Sequence, residues 1–505
     1  MILLLILALP LLAAAVASAA MARQRLRPSG PARAAHRAIA AVTVMTSLAV
    51  LALAARVALS AAAGITDTAL SGSLRADALS ALIVLLVALV AATSAVYSFG
   101  YMARECAREP GRLSLYYANY NLFVFAMLAI PLVDEPTLVW IFVELTTLSS
   151  ALLVSFESTQ AALEAAWKYV TLSLMGAAIA LLGFLLLFSA MQAAGGDSFT
   201  WQGLIDAAPR MPPALLGAAF VAIVVGFGTK VGLVPLHTWL PDAHSQAPTP
   251  VCALLSGIET TSVLYVILRL LPVLDGSPVA VMRDWMVGFG LLSVGVAAFL
   301  LLQVRDYKRL FAFSTVEHMG IILVAVGLAG KAAHFGAMYQ ILGHAVTKSF
   351  CFFAAGAAVL TVTTRNIASV RGLVRASPAA AAALLLGGLA IAGAPPLPIF
   401  MSELAILRAG LAAGRYVVVG LLALFIVVAF FGILMHLNGM VFGRYPPAAD
   451  AALDPAPHEG AAVLRLPRTC TLMLVLAGAL MLLLGLVLPS PLRALLQLAA
   501  AGLQR

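Results

Sequence analysis

Charge is what this sequence lacks most. Charged residues fill 10% of its 505 positions and hydrophobic residues 63%, whereas soluble domains carry roughly 25% charged residues. A single soluble core also stops growing beyond about 250–300 residues, so the apolar excess does not fit one large soluble core. The bilayer is its natural solvent. Cysteine is scarce as well. Cys106, Cys252, Cys351 and Cys470 are far apart and form no CxxC pair, which argues against a metal or iron–sulfur site in this chain. No glycine loop of the P-loop or dinucleotide type is present. The net charge of +9 comes without an aromatic-rich basic stripe, so it does not indicate nucleic-acid binding.

What is present is a series of apolar runs. Each bilayer crossing needs about 20 mostly apolar residues, and the breaks between runs predict an all-α, polytopic membrane protein with about fourteen spans. The expected boundaries are 1–20, 39–61, 78–100, 114–133, 136–156, 163–192, 214–235, 247–272, 284–304, 309–329, 334–362, 379–408, 416–442 and 468–489. The first run has no basic segment before it, so it reads as a span rather than a cleaved signal peptide; the Ala-Ser-Ala around Ser18 is the feature that favours cleavage. Basic residues follow the odd-numbered spans: Arg23, Arg25, Arg27, Arg33 and Arg37; Arg104, Arg108 and Arg112; Arg305, Lys308 and Arg309; Arg365, Arg371 and Arg375. Their loops are expected in the cytoplasm, with both termini outside. Residues 443–467, with Pro446, Pro447, Pro455 and Pro457, read as an irregular cytoplasmic loop. Pro491 to Arg505 reads as an interfacial helix or a peripheral packing element.

Two spans carry interior breaks. One is Gly228-Thr229-Lys230-Val231-Gly232-Leu233-Val234-Pro235, and the other is Ala392-Gly393-Ala394-Pro395-Pro396-Leu397-Pro398, followed by Glu403. Proline removes a backbone donor and clashes with the preceding turn. Freed backbone groups survive at membrane depth only inside protein or beside a watery cavity. These are spans seven and twelve, five apart, and matched interruptions point to a transporter built from inverted repeats. The organisation expected is a three-helix segment (1–113), five-helix repeats at 114–272 and 284–442, and a loop, last span and tail at 443–505.

A charge at mid-bilayer costs about 2.5–3.5 kcal/mol even on the lenient insertion scale, so those present need a reason. Glu144 lies deep in span five with no basic neighbour in sequence, and Lys230 in span seven is its expected partner. An acid beside an ammonium favours both charged forms while burial opposes them, a balance that a passing proton can tip. His344 and Lys348 share a helix face at i,i+4, with Gln340 one turn earlier, and this polar stripe reads as a proton wire. Glu403 beyond the second break reads as its terminus. Glu259 and His318 read either as relay groups or as structural ones. Lys168 is expected to snorkel to the interface, and His436 is an exit relay or packing. His237, Asp242 and His244 superficially suggest a metal site, but Pro235, Pro241, Pro248 and Pro250 favour a rigid turn.

Longer motifs then identify a relationship. Tyr97-Ser98-Phe99-Gly100-Tyr101-Met102, the stretch from Lys230-Val231-Gly232-Leu233-Val234-Pro235-Leu236-His237 through Thr238-Trp239-Leu240-Pro241-Asp242-Ala243-His244, Ala247-Pro248-Thr249-Pro250, Lys308 to Thr315, and His344-Ala345-Val346-Thr347-Lys348 resemble the antiporter-like subunits of complex I, Mrp antiporters and group 4 NiFe hydrogenases. Val143-Glu144-Leu145-Thr146-Thr147-Leu148 and Val316-Glu317-His318-Met319-Gly320 resemble the hydrogenase 4, or formate hydrogenlyase, type most. The resemblance implies fourteen spans with two inverted five-helix repeats, a Glu144–Lys230 pair, a central relay through His344 and Lys348, and a terminal group at Glu403. It also implies other membrane subunits and a peripheral redox arm carrying Fe–S clusters and NiFe or flavin groups, in a prokaryotic cytoplasmic membrane, with no cofactor in this chain. One departure stands out: Thr261 occupies the span-eight position where the family often has lysine or histidine. The expected function is proton translocation in a redox complex; the alternatives are a cation/proton antiporter without a redox partner and a non-pumping membrane scaffold.

Overall fold

The computed structural model describes residues 1–26, 32–106, 112–277, 279, 282–362, 364–444 and 466–504. Arg27, Arg108 and most of the loop expected at 443–467, including Pro446, Pro447, Pro455 and Pro457, lie outside them. The chain begins with α1 (Ile2–Leu26) and α2 (Ala32–Ala62), then a hairpin of β1 (Asp67–Ala69) and β2 (Leu74–Ala76). Next come α3 (Ala78–Glu105), α4 (Arg112–Leu132), α5 (Pro136–Val154), α6 (Gln160–Ala193), the short α7 (Trp201–Ala207), α8 (Pro213–Val231) and α9 (Trp239–Gln246). A π turn at Leu255–Glu259 joins α10 (Thr249–Leu254) to α11 (Thr260–Arg269), followed by α12 (Leu271–Asp275). The second half holds α13 (Met282–Leu301), α14 (Tyr307–Gly327), α15 (Lys331–Val362), α16 (Leu373–Ala376), α17 (Pro378–Ile391), α18 (Pro398–Ala412) and α19 (Tyr416–Phe442). The chain closes with α20 (Arg468–Leu486) and α21 (Ser490–Ala501).

Among the described residues, thirteen helical segments are long and apolar enough to cross a bilayer. The span expected at 379–408 is instead two shorter helices, α17 and α18, on either side of its break. Both breaks have the same local form. α8 ends as Gly232 turns left-handed at φ 87°, and α17 ends just before Gly393 at φ 76°. A side chain is disfavoured in this region and glycine is not. Pro235 and Pro396 each follow three residues later, both after cis peptide bonds.

Packing places the polar groups. The stretch from α10 through α12 and helices α14 and α15 are almost wholly buried, whereas α1, α2, α6 and α19 turn most of their apolar surface outward. Close approach of α6 to α8 depends on glycine: a Cβ at Gly226 would lie 2.5 Å from the backbone of Gly176 and Ala180. Gly290 and Gly320 do the same for α13 and α14, as small residues do in membrane helix pairs. Asp77 caps α3 by accepting from Ser80 N at 3.0 Å and takes two hydrogen bonds from Arg269, at 2.6 and 2.7 Å. Burial opposes ionisation there, but the Arg269 guanidinium outweighs it and holds the Asp77 carboxyl down to about 2. The tail settles as a packing element, with Leu495, Leu496, Ala499 and Ala500 of α21 buried against α2, α3 and α15.

Candidate functional site

The polar side chains meet along the buried centre. Lys230 sits in the last turn of α8, just before the break, and is 2% exposed. Its ammonium donates to the Val143 carbonyl at 2.9 Å, to Thr146 Oγ1 at 2.7 Å and to Thr147 Oγ1. The expected direct pair with Glu144 does not form. The ion pair of Lys230 is with Glu259, at 3.4 Å. The reason is geometric: α5 turns the backbone carbonyl of Val143 and two threonine hydroxyls toward the ammonium, and these take the place of the Glu144 carboxylate. Glu144 remains near enough for its charge to act on both Lys230 and Glu259. Its two carboxylate oxygens are buried without a hydrogen-bond partner among the described residues. It lies on α5 between the outward-facing Ile141 and Leu148, at the edge of the fold rather than on its axis.

Glu259 is on the axis. One oxygen accepts from the Tyr169 hydroxyl at 2.8 Å, and that hydroxyl also meets Ser150 at 2.8 Å. The other oxygen is buried and has no partner among the described residues. Glu259 closes the π turn, an irregularity frequent at functional sites. The same turn carries Ser256, whose carbonyl meets His344 Nε2 at 2.9 Å. Thr261, where the resemblance implies a base, is fully buried, and its hydroxyl has no partner among the described residues. One five-residue turn therefore touches Lys230 at one end and His344 at the other.

The second half continues the row. His344 Nδ1 faces His318 Nδ1 at 3.1 Å, and His318 Nε2 meets the Ile391 carbonyl at 3.2 Å, at the end of α17. Lys348 donates to the Phe311 carbonyl at 2.6 Å and to Ser314 Oγ at 2.5 Å, and the charge of Glu317 acts on it. Glu403 is 5% exposed, packs its carboxylate against the backbone of Gly393 and acts on Glu317. Its neighbour Ser402 donates to Gln340. Pro395 and Pro396 therefore bend the chain where Glu403 folds back onto the break.

All seven expected relay residues, Glu144, Lys230, Glu259, His318, His344, Lys348 and Glu403, lie in or beside this row. Sequence reasoning missed Thr146, Thr147, Ser150 and Tyr169 as partners, and Glu317 as a further acid. The paired threonines one turn after Glu144 were the available signal. The peripheral expectations fare differently. Lys168 does more than snorkel: half-exposed, it bonds Glu164 at 2.6 Å and Asp242 at 3.3 Å. Asp242 also receives Arg309 at 2.5 Å, and His244 Nδ1 meets the Leu240 carbonyl at 2.6 Å. No group of three or more His, Cys, Asp or Glu among the described residues is placed to hold a metal. His436 Nε2 contacts the Leu301 carbonyl at 3.0 Å.

A protein-family model described as NADH:quinone oxidoreductase/Mrp antiporter, TM, matches residues 134–431. A second, described as the NADH-Ubiquinone oxidoreductase (complex I), chain 5 N-terminus, matches residues 63–110. The Hydrogenase-4 component F homolog of Methylacidiphilum infernorum is 36% identical over 383 residues, covering 74% of this chain and 80% of that protein. Hydrogenase-4 component B of Escherichia coli is 32% identical over 350 residues, covering 66% of this chain and 50% of its own length. A chain of the membrane-bound sulfane sulfur reductase, an archaeal respiratory membrane complex, superposes with a TM-score of 0.84 at 22% identity, over 99% of this chain and 97% of that one. That likeness concerns the fold.

Proposed function

Because this chain belongs to the NADH:quinone oxidoreductase/Mrp antiporter family of membrane subunits, we propose that it translocates protons as an antiporter-like subunit of a hydrogenase-type or respiratory redox complex. The observation that carries this reading is the buried Lys230, paired with Glu259 at 3.4 Å while the nearby Glu144 carboxylate is unpartnered among the described residues. One ammonium faces two carboxylates, one at the edge of the fold and one on its axis. An ammonium in a low-dielectric site responds strongly to a nearby change of charge. A charge arriving beside Glu144 from a neighbouring membrane subunit shifts Lys230 between its carboxylates, and the proton it carries passes to Glu259 or returns.

From Glu259 the row leads past the π turn to His344 and His318, then to Lys348, Glu317 and Glu403. Two inverted five-helix repeats, 114–272 and 284–442, are the scaffold on this reading, and the matching glycine–proline breaks support it. The basic loops lie on the cytoplasmic side. Electron transfer belongs to a peripheral redox arm, whose Fe–S clusters and NiFe or flavin groups reside in other subunits.

The test is Lys230→Met in the intact complex reconstituted into vesicles. Proton uptake is expected to vanish while the complex still assembles; unchanged uptake would sink the proposal. A second reading, a cation/proton antiporter without redox partner, is favoured by the Mrp members of the matched family. The subunits that co-purify with the chain separate the two.

A further inference from the structure

The two central histidines pose a problem of proton counting. His318 on α14 and His344 on α15 are both fully buried, with ring centroids 5.2 Å apart and ring planes at 63°. Three contacts join them to their surroundings and to each other. His344 Nε2 meets the Ser256 carbonyl at 2.9 Å, the two Nδ1 atoms meet at 3.1 Å, and His318 Nε2 meets the Ile391 carbonyl at 3.2 Å. A carbonyl only accepts, so each Nε2 needs a hydrogen. The Nδ1 contact needs one more.

Two neutral imidazoles supply two N–H groups for these three contacts. With both hydrogens on Nε2, two Nδ1 lone pairs face each other. Moving one hydrogen to Nδ1 leaves the Nε2 of that ring facing a carbonyl lone pair instead. Every neutral arrangement therefore leaves one buried contact without its hydrogen, and a buried polar group without its hydrogen bond is unfavourable. A single added proton satisfies all three contacts at once.

We propose that His318 and His344 act as one dyad that holds a single excess proton in the Nδ1···Nδ1 contact, between the π turn and the second helix break. As a station for moving protons, it rests on the relay function proposed above; the shared proton itself rests on the contacts alone. Loading adds one H⁺ to two neutral rings and gives one singly charged pair with three N–H groups; unloading reverses this, with no other bond changed. A carbonyl cannot pass a proton onward, so the dyad loads or unloads only when a ring leaves the Ser256 or the Ile391 carbonyl. The two carbonyls act as latches, one presented by the π turn and one by the end of α17. The charged and titratable groups around the dyad are Lys348 on α15, whose positive charge opposes a proton on either ring, and His244 on α9, which opposes one on His344 when it is charged. Glu317, beside His318 on α14, acts on Lys348, and Glu403 on α18 acts on Glu317. The dyad's charge state is thereby coupled to the second-half lysine and its acids.

The test uses the complete complex, with this chain ¹⁵N-labelled at histidine, in lipid bilayers. Solid-state NMR resolves protonated from bare ring nitrogens, and His318→Asn and His344→Asn assign the dyad by difference. Near pH 7 the wild type is expected to show both Nε2 protonated and one proton shared across the two Nδ1 atoms. Either substitution should leave the surviving ring neutral. Finding a bare Nδ1 on both rings, or a bare Nε2 on one, from pH 5 to 8 overturns the dyad. Proton uptake is read in the same vesicles, with His318→Gln as a second variant should His318→Asn fail to assemble. A loss of at least tenfold in an assembled His318 variant supports the dyad as a station. Full uptake alongside a shared proton refutes the station and the relay path through it, while the proton-sharing pair stands.

Discussion

Replacing Glu259 with glutamine separates the charge of the axial carboxylate from its shape. The amide keeps an acceptor for the Tyr169 hydroxyl and keeps the volume. Only the charge opposite Lys230 is lost. At 3.4 Å and an effective dielectric near 20, two unit charges attract by about 5 kcal/mol before desolvation is counted. Lys230 keeps its bonds to Val143, Thr146 and Thr147, so the ammonium remains anchored. Its remaining counter-charge is Glu144 at the edge of the fold, and the balance between the two carboxylates tips that way. If half of the lost attraction enters the barrier for moving the proton toward the axis, translocation slows by about a hundredfold. The assay is proton uptake by vesicles carrying the assembled complex, followed with a pH-sensitive dye during turnover. Glu144→Gln is the partner measurement, because it removes the opposite counter-charge and biases Lys230 toward the axis. Uptake at the wild-type rate in Glu259→Gln, with uptake lost in Glu144→Gln, would refute the two-carboxylate argument and leave the Glu259 pair as structural.

Other expectations concern the scaffold. Asp77→Asn removes the anion beside Arg269 and should destabilise the fold by about 2 kcal/mol at neutral pH. The folded-state carboxyl lies below its ordinary value, at about 2, so this stability is fully present above about pH 4 and fades as pH falls through 2; variant and wild type should converge in acid, as read by thermal unfolding in detergent at each pH. Gly226→Ala places a methyl 2.5 Å from the backbone of Gly176 and Ala180, so α6 and α8 must separate. An overpacking cost of about 1–3 kcal/mol should appear as a lower melting temperature, and an unchanged one would mean that the pair slides apart freely.

The sequence displayed the spans, the two breaks and the ionisable residues because each is a local signal: an apolar run, a glycine–proline cluster, a charge where charge is expensive. It did not display how the charges pair. Glu144 and Lys230 looked like partners because they are the conspicuous ions of spans five and seven. The Val143 carbonyl and the Thr146 and Thr147 hydroxyls took the ammonium instead, and backbone carbonyls leave no mark in a sequence. The π turn at Leu255–Glu259 was hidden for a related reason. Apart from Gly257 its residues are ordinary helix formers, and what surrounds it comes from distant helices: Ser256 meets Thr315 on α14 at 2.6 Å, and Gly257 lies against Ala345 and Ser349 on α15. The contact of His318 with His344 depends on the same packing, since the two residues are 26 positions apart on separate helices.

The π turn also bears on the gap at Thr261. On the proposed function, a station between the two halves needs a group that can hold a proton; a threonine hydroxyl can only pass one along a hydrogen-bonded chain, and that of Thr261 has no partner among the described residues. Glu259 lies two residues earlier; on a regular helix that places it about 200° around the axis from residue 261. Glu259 and Thr260 keep helical dihedrals, so Glu259 stays on that other face: it meets Lys230, while the carbonyl of Ser256 meets His344. A carboxylate at this point changes the sign of the link: a basic residue would be cationic when loaded and neutral when empty, whereas Glu259 is neutral when loaded and anionic when empty. On the proposed function, an empty Glu259 gives the Lys230 ammonium a counter-charge and a loaded one withdraws it, with Val143, Thr146 and Thr147 still holding the ammonium. The occupancy of the link would then set the charge balance of the lysine between axis and edge, a coupling that a base at residue 261 would oppose by like-charge repulsion whenever both carried protons.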